Sequence, residues 1–138
     1  MRHKKDYKKL GRTSSHRAAM LSALVSSLIL KKRITTTIAK AKEARRLAEK
    51  LVTVARKGTL QSRRYALSVL KKPAIVKVLF NEVIPQYKER SGGYTRIIKT
   101  GKYRVGDGSE LAFLEWIGIA IPQKKKKKKA DTTETTAA

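Results

Sequence analysis

Residues Arg2 to Arg17 constrain the fold most. The first seventeen positions hold seven Lys or Arg, two His and one acid, and past Met1 only Tyr7 and Leu10 are sizeable apolar groups. No hydrophobic core can form from such a stretch. It is not a free lysine tail either, because Thr13-Ser14-Ser15 runs directly into an apolar helical pattern, and hydroxyl residues are preferred helix N-caps. A chain that begins this way must carry a basic arm joined to a body folded from the residues that follow.

The body is read in order. A helix is expected from about 16 to 30, with Leu21, Leu24, Val25 and Leu28 at helical spacing. Each fully buried Leu or Val contributes roughly 1.5–3 kcal/mol. Ile34-Thr35-Thr36-Thr37 is β-branched and predicts a short extended segment whose last threonines cap a second helix, 38 to 57. Ala41, Ala44, Leu47, Ala48, Leu51 and Ala55 form the stripe of that helix. Gly58 stands where a left-handed C-cap belongs. Lys40, Lys42, Arg45, Arg46 and Lys50 make its other side basic, the ordinary pattern of a solvated helix face. A shorter helix opens at Thr59-Leu60, with Leu60, Leu67 and Leu70 as its apolar positions. Pro73 suits the first position of a fourth helix carrying Ile75, Val78, Leu79 and Val83, which Pro85 kinks or ends. The last third changes period. Residues 94–100 and 111–117 read as two strands of an antiparallel hairpin around a glycine-rich loop, with Ile34–Thr37 added at an edge. The expected class is α/β in the α+β sense, helices packed on a small mixed or antiparallel sheet. The expected division is an arm at 1–12, one globular domain at 13–121, and a Lys-rich, Thr-rich disordered tail at 122–138.

Composition then limits the partners. A net charge of +24 on 138 residues costs stability through self-repulsion, which a polyanion relieves. Nucleic acid is the first candidate, because Lys and Arg on phosphates release condensed counterions. A membrane-active cationic helix is disfavoured: the apolar faces are needed for a core, and the run near 18–30 is broken by Ser22, Ser26 and Ser27. The chain has no cysteine, so disulfides and thiolate metal sites are excluded, and His3 with His16 alone makes no metal site. Enzymatic hydrolysis needs paired carboxylates or a base beside a nucleophile. The ten acids are scattered, and Asp107 with Glu110 is the only close pair in a loop. No catalytic residue, cofactor or small-molecule substrate is expected. A nucleoid-type DNA-binding protein is the alternative, since attraction to phosphate is blind to the kind of nucleic acid.

The arm suits structured RNA, which is recognised by shape, phosphate and 2′-hydroxyl contacts. Arg gives bidentate phosphate pairing and Lys a point charge. Lys8 and Lys9 carry charge along the arm, and Gly11 lets its backbone turn. His16 and Arg17 occupy a first helical turn where acids are usual. Either Arg17 points into solvent, or a phosphate sits at the helix start against Arg12 and Arg17. Tyr7 and Tyr94 are each able to stack on a base; core packing is the better expectation for Tyr94 and not for Tyr7.

Four blocks of this sequence resemble one family. Arg2-His3-Lys4-Lys5 with the run from Leu10 to Arg17, then Ile34–Thr37 with Ala39–Arg45, then Gly92–Ile97, then Arg104–Asp107, are similar to the bacterial ribosomal large-subunit protein seventeen family, over about residues 1–120. The resemblance implies a cytoplasmic structural protein of the ribosome. It implies binding to large-subunit ribosomal RNA near the exit of the peptide tunnel, beside neighbouring large-subunit proteins. Arg2, His3, Lys4, Lys5, Gly11, Arg12, Ser14, His16 and Arg17 match the first block and are the positions expected against RNA; Arg96 and Arg104 match later ones. The Lys124–Lys129 run departs from the family pattern.

Overall fold

The computed structural model describes residues 7–121. Helix α1 spans Ser14–Lys31 and buries Leu21, Val25, Leu28 and Ile29. It stops at Lys32, which takes a left-handed conformation (φ 64°) and donates its N–H to the Leu28 carbonyl at 2.8 Å. A lysine in that conformation is strained. Here it is buried, and its Nζ is held by Glu82 at 2.7 Å. The Leu28 carbonyl also accepts the Trp116 indole N–H at 3.1 Å. Trp116, eighty-eight residues further on, therefore closes the C-terminus of the first helix.

Strand β1 is Arg33–Thr37 and leads straight into α2, Ile38–Ala55. The alanine stripe is buried as its spacing predicts: Ala41, Ala44, Ala48 and Ala55 with Leu51 and Val52. Small side chains let α1 and α2 approach closely. The helix ends two residues before the expected Lys57, and Gly58 follows at φ 67°.

Helix α3, Leu60–Leu70, corrects the expected stripe. Leu60 and Leu67 are exposed, and the buried face is Ser62, Ala66 and Leu70. The cap sets this rotation. Thr59 Oγ1 accepts the Ser62 N–H at 3.2 Å, and Ser62 Oγ donates to the Thr59 carbonyl at 2.7 Å, turning the small residues inward. Helix α4 begins at Pro73, as expected, but its α-ladder stops at Val78. A π-helical turn, Leu79–Val83, and a 3₁₀ turn, Ile84–Tyr87, follow. Pro85 has no N–H for the α-ladder, and the wider turn absorbs the gap. Val78 is only partly buried, whereas Val76, Ile84 and Tyr87 join Ile75, Leu79 and Val83 in the core.

Strands β2, Thr95–Tyr103, and β3, Glu110–Trp116, form the expected hairpin, and β2 runs three residues further than the pattern suggested. The sheet order is β1-β3-β2, antiparallel throughout, with β1 at an edge. Ala112, Leu114 and Trp116 on the central strand face the helices and are buried. The alternate residues form the opposite face, where Arg33 and Arg96 flank Glu115 in register, and Thr35 and Ile98 flank Phe113. Tyr94 lies in the core, as expected. It packs against Tyr87 at 5.2 Å between ring centroids and accepts a hydrogen bond from Arg56 Nη1 at 2.9 Å.

Candidate nucleic-acid interface

The described part of the arm, from Tyr7 onward, folds back onto the start of α1. Leu10 (φ 59°) and Gly11 (φ 65°) are both left-handed, and Arg12 N–H closes the turn on the Lys9 carbonyl at 3.3 Å. Glycine takes that backbone freely, whereas the bulky Leu10 is held there at a cost of order 1–3 kcal/mol.

Glu43 on α2 supplies the restraint. Its Oε1 accepts the Lys8 N–H at 3.1 Å and its Oε2 pairs with Arg17 Nη2. Arg17 Nε donates to the Lys8 carbonyl at 2.8 Å, and its guanidinium lies over the Tyr7 ring at 5.1 Å. Both backbone groups of Lys8 are thus tied to α1 and α2, and the side chains of Lys8 and Lys9 remain exposed. Arg17 does not simply point into solvent, the first of its two expectations: it spans the junction of arm and body. Tyr7 is exposed on one side and covered by Arg17 on the other.

Beside this junction is a cleft of about 370 Å³ lined by Tyr7, Lys9, Arg12, Thr13, Ser14 and Arg17. Thr13 makes no side-chain cap, and the first turn of α1 has no acid. The opening N–H groups of an α-helix have no intrahelical acceptor, and the macrodipole makes that end positive. Arg12 Nη1 donates to the Leu10 carbonyl at 3.0 Å, while its buried Nε has no partner among the described residues. Ser14, His16 and Gly11 are exposed, and of the three Ser14 lines the cleft. Arg2, His3, Lys4 and Lys5 lie outside the described residues, as does the Lys124–Lys129 run.

The two later candidates sit elsewhere. Arg96 pairs with Glu115, whose other oxygen takes Arg33. Burial pushes the Glu115 carboxyl up, but hydrogen bonds and charge from Arg33 and Arg96 outweigh that and hold it below the usual range. Arg104 braces the β2–β3 loop with a bidentate pair to Asp107, which also accepts from the Ser109 N–H and hydroxyl. These bonds, with Arg104 first, hold the Asp107 carboxyl well below its usual value. Of the two close acids, Asp107 is therefore a turn former that serves Arg104, and Glu110, the first residue of β3, faces Lys99 at 3.4 Å.

Sequence reasoning missed Glu43 and the Arg33–Glu115–Arg96 row. The available signal was an acid at the edge of the α2 stripe and another inside an otherwise apolar strand, in a chain short of acids. Glu43, Glu49, Glu82, Asp107, Glu110 and Glu115 each bind a Lys or Arg. No group of three or more His, Cys, Asp or Glu is placed to hold a metal among the described residues, and no described helix is long and apolar enough to cross a membrane.

A family profile described as ribosomal protein L17 matches residues 20–117, which include α1 from Met20 onward, the alanine stripe of α2 and the whole sheet. The chain belongs to the ribosomal protein L17 family. Similar proteins are named large ribosomal subunit protein bL17. That of Thermodesulfovibrio yellowstonii is 48% identical over 134 residues, spanning 95% of this chain and all of the relative. That of Fusobacterium nucleatum is 50% identical over 117 residues, covering 85% of this chain and all of the relative. That of Clostridium acetobutylicum is 50% identical over 111 residues, covering 80% and 96%. The resemblance read from four short blocks is thus a family relationship along most of the chain.

Proposed function

We propose that this L17-family protein is a structural constituent of the large ribosomal subunit in the cytoplasm, without catalytic activity. It binds large-subunit ribosomal RNA through phosphate and shape contacts, beside neighbouring ribosomal proteins, and supports assembly near the tunnel exit. The observation that carries this reading is the use of the acids. Among the described residues Glu43, Glu49, Glu82, Asp107, Glu110 and Glu115 are taken up in internal pairs, and a net charge of +24 remains to meet a polyanion. Residues 1–12 act as the RNA-binding arm, 13–121 as the body and 122–138 as a tail. Arg2, His3, Lys4, Lys5, Lys8, Lys9, Gly11, Arg12, Ser14 and His16 meet RNA at the arm and the helix start. Arg17 contributes mainly by fixing the arm, and Arg96 and Arg104 contribute through the donors their carboxylate partners leave. Co-sedimentation with large subunits across a salt gradient tests the proposal: the protein is expected in the subunit fraction at low salt and lost steeply as salt rises. A protein that stays in the supernatant at low salt, or sediments only with DNA, overturns it.

A further inference from the structure

We infer that the groove between α2 and β2 is a second RNA seat, separate from the arm, which takes the sugar-phosphate backbone of one strand. The groove has a volume of about 470 Å³. On α2 its wall is Lys42, Arg45 and Arg46, on a different face from the buried alanine stripe. On β2 the facing wall carries Lys99, 71% exposed with Glu110 at 3.4 Å on one side of its ammonium, and the floor is apolar, from Ile38 and Ile97. Glu49 is the single acid of the lining, and it is already engaged. It accepts Arg45 Nε at 3.2 Å and the Thr95 hydroxyl at 3.0 Å, the latter tying α2 to the first residue of β2. The groove is therefore held open between two rigid elements and is net positive.

These features fit a strand better than a lone anion. A helix rises about 1.5 Å per residue, so Lys42 and Arg46 are offset by about 6 Å along the axis. That is close to the step between successive phosphates of a nucleic-acid strand. A guanidinium carries five N–H donors, so Arg45 keeps donors for a phosphate while its Nε stays on Glu49. Lys42 makes no ion pair among the described residues. The apolar floor accepts the ribose side of the backbone, as positively charged grooves that track single strands do.

The inference rests on the RNA-binding reading above, and the test separates the two. Full-length protein is titrated with transcribed large-subunit ribosomal RNA at several salt concentrations. Three forms are compared: unaltered protein, Lys42→Ala with Lys99→Ala in the groove, and Lys8→Ala with Lys9→Ala in the arm. Both groove side chains are solvent-facing, and thermal melts followed by circular dichroism check that the body is intact. The groove variant is expected to lower the slope of log K against log salt by about 1.4, from about 0.7 per lost single-strand phosphate contact. Lys42→Arg with Lys99→Arg should restore it. A groove variant with unchanged slope and affinity, beside an arm variant that loses both, overturns the groove and leaves the RNA reading standing. That result holds whether the groove is empty or takes an acidic protein segment. Failure of the unaltered protein to bind RNA overturns both.

Discussion

Arg17 and Glu43, twenty-six residues apart, meet across the junction of arm and body, and both also hold the backbone of Lys8. Through this pair a stretch that cannot build a core acquires a fixed path over one. Glu43 is buried and Arg17 is only 21% exposed at its side chain. Removal of one partner leaves the other without compensation. Arg17→Ala or Glu43→Gln is expected to lower stability by about 3 kcal/mol, the lower end for a broken buried pair. Urea denaturation measures this, and hydrogen exchange at the Lys8 amide should speed up in both variants. A loss below about 0.5 kcal/mol would mean that the pair does not hold the junction.

Glu115 gives the protein an acid limit. Its carboxyl titrates below the ordinary value of 4.5, because Arg33 and Arg96 together outweigh burial. A carboxyl with a depressed folded pKa stabilises the fold above its unfolded pKa, and that contribution fades as pH falls through the folded value. Stability should therefore drop as pH falls below about 4.5. Glu115→Gln should be less stable at pH 7 and should lose this part of the acid dependence, as denaturant melts at a series of pH values would show.

Tyr87 sets a limit at the alkaline end. Burial pushes its phenol from 10.0 up to about 12, and the hydroxyl donates to the Ile117 carbonyl at 2.7 Å. The unfolded chain releases this proton first, so the contribution is complete below pH 10 and is lost between pH 10 and 12. Tyr87→Phe is expected to flatten the alkaline decline relative to the unaltered protein while losing about 1 kcal/mol at pH 7 for the missing hydrogen bond.

The rotation of α3 is testable by two leucines of one helix. Leu60 is 64% exposed and Leu70 is 2% exposed. Leu60→Ala should change stability by no more than about 0.5 kcal/mol, whereas Leu70→Ala should cost about 2–5 kcal/mol. Equal losses would restore the stripe read from sequence.

How much was legible follows from the range of the forces involved. The alanine face of α2, the left-handed Gly58, Pro73 at a helix start and the hairpin near the C-terminus are set by neighbours a few residues away, so local pattern suffices to read them. The face of α3 was not legible, because leucine spacing competes with a Thr59–Ser62 cap and with close packing that admits only small side chains. The π turn before Pro85 was equally hidden, since a missing N–H can be met by ending a helix or by widening it. At the interface, charge and block order pointed to the arm, yet not to what its residues touch.

The sequence by itself determined an α+β body with a basic arm, its family, and an excess of positive charge that calls for a polyanion. Periodicity, capping residues and net charge are local or additive properties. Only the tertiary structure decided which cations are spent inside and which are left to face outward. Arg17 matches the first family block, as Arg12 does, and Arg96 and Arg104 match later ones, but carboxylates distant or near in sequence engage all three. Lys42, which read as solvated charge, and Lys99, which read only as a strand residue, line one groove. An ion pair or a groove between residues far apart in sequence exists only once packing has brought them together, and no single stretch carries its signal.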